Sequence, residues 1–111
     1  DEAVVNRGLS YPELVRLLCA NPARLFGLAN KGTLEPGTDA DFVVFDPEAT
    51  QTVDATTNAS RADYSIYDGR EVTGRVDATY VRGECVASDG EIVGESDHGE
   101  PAARTAPDWE F

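Results

Sequence analysis

The chain has 111 residues, 41% hydrophobic and 27% charged, which suits one small domain or part of a larger one. Its formal charge is −12, and Lys31 is the single lysine among nine cations, so nucleic-acid phosphates and anionic membrane are excluded as partners. No apolar run approaches the ~20 residues of a membrane span, and no basic start leads into an apolar segment as in a secretory leader; the expected location is the cytoplasm.

An acidic excess with almost no lysine is expected of a protein from a salt-rich cytosol, where carboxylates stay solvated and their repulsion is screened. The chain opens on Asp1-Glu2-Ala3 and has no Met. That beginning is expected of a piece cut from a longer polypeptide, or of a trimmed terminus. Cys19 and Cys85 lie far apart, with neither metal-binding nor redox spacing. Both are expected to be reduced, packed thiols.

Residues 1–9 read as a lead-in. Ser10, Pro12 and Glu13 form a helix start, with Ser10 as cap and Glu13 completing a capping box. Tyr11, Leu14, Val15 and Leu18 fall at i, i+3, i+4 and i+7, so a helix with one apolar face is predicted over residues 11–20. Asn21-Pro22 restarts a helix, with Asn21 as its cap, and Gly27 ends it in a left-handed conformation. One long kinked helix is the alternative.

From Lys31 the period changes. Residues 32–35 read as a short extended piece and Pro36-Gly37 as a turn. Residues 41–46 (DFVVFD) are an apolar run flanked by acids, the pattern of a strand covered on both faces. Pro47 should stop it, and residues 51–53 should form another short strand. Residues 56–65 are polar and irregular. Tyr64, Ile66 and Tyr67 precede Asp68-Gly69, which suggests an ordered loop with an aromatic anchor. Residues 76–82 alternate as a half-buried strand, and residues 84–87 and 91–93 flank Asp89-Gly90 as a hairpin. Residues 96–111 form an acidic tail, disordered or draped over a neighbour, in which Trp109 and Phe111 are candidates for docking.

The candidate chemistry is thin. Catalytic zinc takes three protein ligands, commonly His. The chain has one His, His98, expected to be a solvated tail residue. Asp39 and Asp41 are a pair of acids in a turn before a strand, where turn and strand-edge hydrogen bonding is the expected role, because oxygen-only metal sites need more carboxylates. Nothing places His98 near a Ser or Cys, and neither a nucleophile elbow nor a phosphate loop is present. Lys31 is expected to cap a loop. No catalytic, cofactor-binding or metal residue is assigned in this chain.

Three blocks then carry a family. NPARLFGL at residues 21–28, KGTL at 31–34 and PGTDADFVVFDP at 36–47 resemble the C-terminal part of metal-dependent cyclic amidohydrolases, the group of dihydropyrimidinase/hydantoinase, allantoinase and dihydroorotase. Asp63-Tyr64, Tyr67-Asp68-Gly69, Val72-Thr73-Gly74, Val81-Arg82-Gly83 and Asp89-Gly90 agree in order, so the resemblance covers residues 10–94. The Asp-Tyr-x-x-Tyr-Asp-Gly run leans toward dihydropyrimidinase.

The resemblance implies a parent with a (β/α)8 barrel plus a small β-sandwich, of which this chain is an α+β fragment: two C-terminal barrel helices followed by part of the antiparallel sandwich. Residues 1–30 would be the last helical segment of the barrel, 31–95 the C-terminal half of the sandwich and 96–111 the tail. A whole barrel needs about 200 residues or more, so the catalytic part cannot be here. The resemblance further implies a divalent metal, a binuclear zinc site, held by barrel residues of which none maps onto this chain; Lys31 matches a loop Lys-Gly and not the bridging lysine. Partners would be the remainder of its own barrel and sandwich and, in the parent, further copies in a homo-oligomer, with the tail touching neighbouring subunits. Two other readings stand beside this hydrolase: a non-catalytic assembly protein of the same fold, and a freestanding small β binding domain.

Overall fold

The computed structural model describes residues 1–57 and 60–106. Its first third is helical. The expected lead-in is a π-helical turn, Glu2–Asn6, with Asp1 accepting the amides of Val5 and Asn6. Helix α1 (Tyr11–Val15) begins with the full capping box: the Ser10 hydroxyl accepts from the Glu13 amide, and the Glu13 carboxylate accepts the Ser10 amide at 2.8 Å. Helix α2 (Asn21–Leu25) follows as expected, but the junction is no second cap. Asn21 is itself helical (φ −63°, ψ −46°), and its amide reaches back five residues to the Arg16 carbonyl. Residues Arg16–Ala20 form a π turn between the two helices. Pro22 supplies the reason: its ring would clash with the carbonyl four residues earlier and has no N–H to offer it, and a widened turn relieves both.

Gly27 ends α2 as read. At φ +69° it donates to the Arg24 carbonyl (3.1 Å), while Leu28 donates to Ala23 (2.8 Å), the two bonds of a Schellman motif. The expected extended piece at residues 32–35 pairs with no strand among the described residues. Its polar groups are satisfied locally. The Thr38 amide donates to the Glu35 carbonyl (3.0 Å) across a Pro36-Gly37 turn with Gly37 at φ +98°, and the Glu35 amide donates to the Thr38 hydroxyl. Gly32 (φ +85°) lies hard against the helices, where an added Cβ would fall 2.6 Å from Ala23 Cβ and 2.7 Å from the Cys19 carbonyl oxygen.

The remainder is an antiparallel meander in the order β1-β2-β3-β4: Phe42–Thr52, Glu71–Val81, Glu84–Ser88 and Glu91–Ile92. Pro47 does not stop β1, and residues 51 and 52 belong to the same strand. The register runs Phe42↔Tyr80 to Asp46↔Arg75 and resumes at Thr50↔Thr73. Pro47 sits in the bulge between these stretches, where no ladder amide is required of it. Asp46 Oδ1 holds the bulge by accepting the amides of Glu48 (2.9 Å) and Ala49 (3.1 Å). The Asp89-Gly90 tip is present, both residues with positive φ (50° and 83°). A second such turn joins β2 to β3 at Arg82-Gly83 (φ 48° and 81°), the pair of left-handed residues that matches strand twist.

Helices and sheet meet through few contacts, one of them an edge-to-face pair of Tyr11 and Phe45 at 5.8 Å. Phe42 stacks on Tyr80 at 4.6 Å across the β1–β2 ladder. The covering expected over both faces of β1 is absent among the described residues: Val43 is 53% exposed and Val44 46%, on opposite faces of one strand. The helical apolar face is also open, with Val15 and Leu18 exposed, and β2 shows no clean alternation of burial. Nor do the aromatics anchor their loop, since Tyr64, Ile66 and Tyr67 are all exposed; Asp68 anchors it instead, accepting the Ala55 amide at 2.8 Å. Among the described hydrophobic residues only Ala23 is buried. The accessible surface is 8429 Å², against about 6,000 Å² for a compact monomer of this mass. The radius of gyration is 15.7 Å, against about 13 Å for a compact domain of this length.

Gly32 combines a left-handed backbone with a close approach, whereas an added Cβ at Gly37 meets nothing within 4 Å. Gly32→Ala is therefore expected to cost about 3 kcal/mol and Gly37→Ala about 1 kcal/mol in the native gene product, read as urea midpoints. Equal losses would mean that the approach of Gly32 to Ala23 does not constrain the fold.

Candidate functional site

The polar residues singled out in the sequence converge where the helical unit meets the sheet. Lys31 leaves the helices on the loop that follows Gly27. Its ammonium bridges Asp39 (Nζ–Oδ2 2.8 Å) and Asp41, both in the turn before β1. Asp41 uses its other oxygen to accept the Arg82 amide at 2.8 Å, from the β2–β3 hairpin. Backbone bonds run alongside, from the Asp39 amide to the Asn30 carbonyl and from the Gly83 amide to the Ala40 carbonyl, both 2.9 Å. One ammonium and one carboxylate thus fasten three segments distant in sequence.

The ionisation of the cluster follows from its geometry. Hydrogen bonds that the Lys31 ammonium donates to Asp39 and then Asp41 raise its pKa above its ordinary 10.5. The Lys31 hydrogen bond lowers that of Asp41 below 3.8, with the Arg82 amide helping and partial burial opposing. The pair is charged across the neutral range, and its charges are spent on each other.

His98 is not the solvated tail residue expected. Its side chain is 17% exposed, with Nε2 2.8 Å from the Val81 carbonyl oxygen and Nδ1 3.2 Å from Glu84 Oε2. The described part of the tail lies over this chain: Arg82 donates to the His98 carbonyl and pairs with Glu100 at 3.7 Å. Farther on, Arg104 Nε donates to the Phe26 carbonyl (2.9 Å) and the Thr105 amide to the Gly27 carbonyl (2.7 Å). The docking expected of Trp109 and Phe111 lies outside the described residues. Cys19 is exposed and not packed, because it lines an apolar hollow with Val15, Leu18 and Pro22 that none of the described residues fills. Cys85 is half-buried and points its thiol at the Ala87 carbonyl.

What the sequence reading missed is Arg82, the residue in contact with both the acid pair and the tail. Its signal was the Arg-Gly pair between two strand patterns, a hairpin tip with an unusual first residue. Among the described residues no group of three or more His, Cys, Asp or Glu side chains could hold a metal. No helix among them is long and apolar enough to cross a membrane.

Comparison with known proteins gives this arrangement a context. A family model described as "Amidohydrolase family" matches residues 2–86. The chain is 46% identical over 99 residues to a D-hydantoinase of Streptomyces coelicolor, covering 88% of this chain and 21% of that protein. It is 45% identical over 87 residues to an allantoinase of Streptomyces avermitilis, covering 78% of this chain and 20% of that one. The solved structure of D-hydantoinase from Bacillus sp. AR9 superposes with a TM-score of 0.89 at 34% identity, covering 96% of this chain and 24% of that chain. The chain therefore spans about a fifth of the length of the relatives it matches.

The Lys31–Asp41 bridge has a defined pH window. The Asp41 contribution is complete above 3.8 and is lost as pH falls through its lowered folded value; that of Lys31 is complete below 10.5 and is lost as pH rises through its raised one. Lys31→Met is expected to cost about 2 kcal/mol across the plateau between them. The gap between variant and parent should shrink once Asp41 protonates. A gap as large near pH 2 as near pH 7 would show that charge does not hold this junction.

Proposed function

The chain belongs to the amidohydrolase family, and from that premise we propose that it is the C-terminal segment of a metal-dependent hydrolase that cleaves the C–N bond of cyclic amides. The substrate class is of the dihydropyrimidine or hydantoin type, with dihydroorotate and allantoin as related alternatives. Residues 1–30 serve as the last helical segment of the barrel, 31–95 as the C-terminal half of the sandwich and 96–111 as its acidic tail.

The observation that carries this reading is β1. Val43 and Val44 face opposite sides of one strand and are both exposed, so two covers are needed that the described residues do not provide. Exposed strands and helical faces of this kind pair or aggregate when left open. A polypeptide about four times as long, as in the matched relatives, supplies enough chain to cover them.

The divalent metal, a binuclear zinc site in this reading, belongs to the barrel. The described residues here do not fit one: Asp39 and Asp41 are neutralised by Lys31, and both ring nitrogens of His98 are engaged with Val81 and Glu84. This segment's part is barrel closure and sandwich packing, in a homo-oligomer of the cytoplasm. Its −12 charge and single lysine support a salt-rich cytosol, where the Debye length of about 3 Å at 1 M lets acidic surfaces approach.

The test is a chimera. Replacing the last fifth of the Streptomyces coelicolor D-hydantoinase with this chain should retain hydantoin hydrolysis within about tenfold, because 46% identity over 99 residues preserves the packing pattern. Residues 1–111 alone should sediment as aggregates or oligomers and hydrolyse nothing. A monomeric, sharply unfolding isolated chain would defeat the proposal in favour of a freestanding domain.

A further inference from the structure

We propose that residues 98–105 are a strap within the chain that locks the end of the helical unit to the β2–β3 hairpin. The strap has two anchors. At the sheet end, Arg82 donates to the His98 carbonyl, the His98 ring sits 2.8 Å from the Val81 carbonyl oxygen, and Arg82 pairs with Glu100 at 3.7 Å. At the helix end, the Thr105 amide donates to Gly27 (2.7 Å) and Arg104 Nε to Phe26 (2.9 Å).

The helix end is where such a strap is useful. The last carbonyls of a helix lack partners within it, and the negative end of the helix dipole favours a cation. Phe26 and Gly27 follow α2, and the strap brings them a guanidinium and an amide. The fit is close: a Cβ on Gly27 would collide with the Thr105 carbonyl oxygen, so the glycine that ends the helix also admits the strap. Between the anchors, the strap roofs a cavity of about 320 Å³ over Lys31, Asp39 and Arg82, the same residues that join helices and sheet from below. The junction is therefore closed from two sides, by the ion pair beneath and by the strap above.

The inference rests on contacts within this chain and not on the proposed activity. The experiment places the photo-crosslinker p-benzoylphenylalanine at Ala106, which lines a hollow with Ala20, Ala23 and Leu28, in the full-length native gene product. Irradiation should link the tail to the peptide holding residues 20–28 of the same chain, leaving its mass on a denaturing gel unchanged. In parallel, Arg104→Gln and Thr105→Pro should speed hydrogen exchange around residues 26–28 by about tenfold. A link only to another subunit, no link to residues 20–28, or unchanged exchange in both variants would each overturn the strap. The crosslink keeps the test intact if Thr105→Pro does not fold. Loss of hydrolysis is not read, so the strap can stand or fall independently of the enzyme proposal.

Discussion

The Asp41 carboxylate is the point on which the helical and sheet units depend. One oxygen takes the Lys31 ammonium and the other the Arg82 amide, so a single side chain sets the helix exit, the start of β1 and the β2–β3 hairpin relative to one another. Few apolar contacts across that junction could do the same work, since Tyr11–Phe45 is the one ring contact between α1 and the sheet among the described residues. The arrangement explains the spacing of the turn: Asp39 and Asp41 both point to Lys31, while Ala40 between them offers its carbonyl to Gly83. A charge-assisted bond of this kind contributes about twice what a neutral one does, and here it stands where a hydrophobic contact would in a compact domain.

Polar fastening alone does not make a stable domain. A net backbone hydrogen bond contributes about 1 kcal/mol, while ordering a residue costs about 1–2 kcal/mol in backbone entropy. The difference has to come from burial, and the chain buries little: Ala23 is the only buried hydrophobic residue among those described. The large exposed side chains of β1, the helical face and the 64–67 loop are the unspent part of the sequence. Each is worth about 1.5–3 kcal/mol when taken from water to a full cover. These faces stand open in a chain that matches about a fifth of longer proteins.

What could be read from the sequence was what short-range chemistry dictates. The capping box at Ser10 and Glu13, the left-handed stop at Gly27, the Pro36-Gly37 turn and the Asp89-Gly90 tip each follow from a few neighbouring residues, and each is present. The errors arose where a local signal had a longer-range competitor. Asn21 has a cap's side chain, but Pro22 one residue later is met by a π turn, and the helical backbone continues through both. Pro47 reads as a strand stop until the opposite strand accommodates it in a bulge, with Gly74 (φ +101°) facing the Phe45 ring. His98 reads as solvated because its partners, Val81 and Glu84, lie more than ten residues away across a tail with no periodicity. The family, by contrast, was legible because its marks are the same turns and caps.

That overlap has a consequence for what the marks mean. Lys31-Gly32 and Asp39-Ala40-Asp41 lie in the blocks that resemble the family, and the contacts they make here join a helix exit to a sheet. Gly32 is there because the loop passes 2.6 Å from where its Cβ would meet Ala23, and Lys31 because two carboxylates must be neutralised before a strand can start beside them. A recognisable motif in this chain records a packing constraint between a helix end and a sheet edge. The residues that resemble the family's blocks are thus among those that hold the junction between helices and sheet.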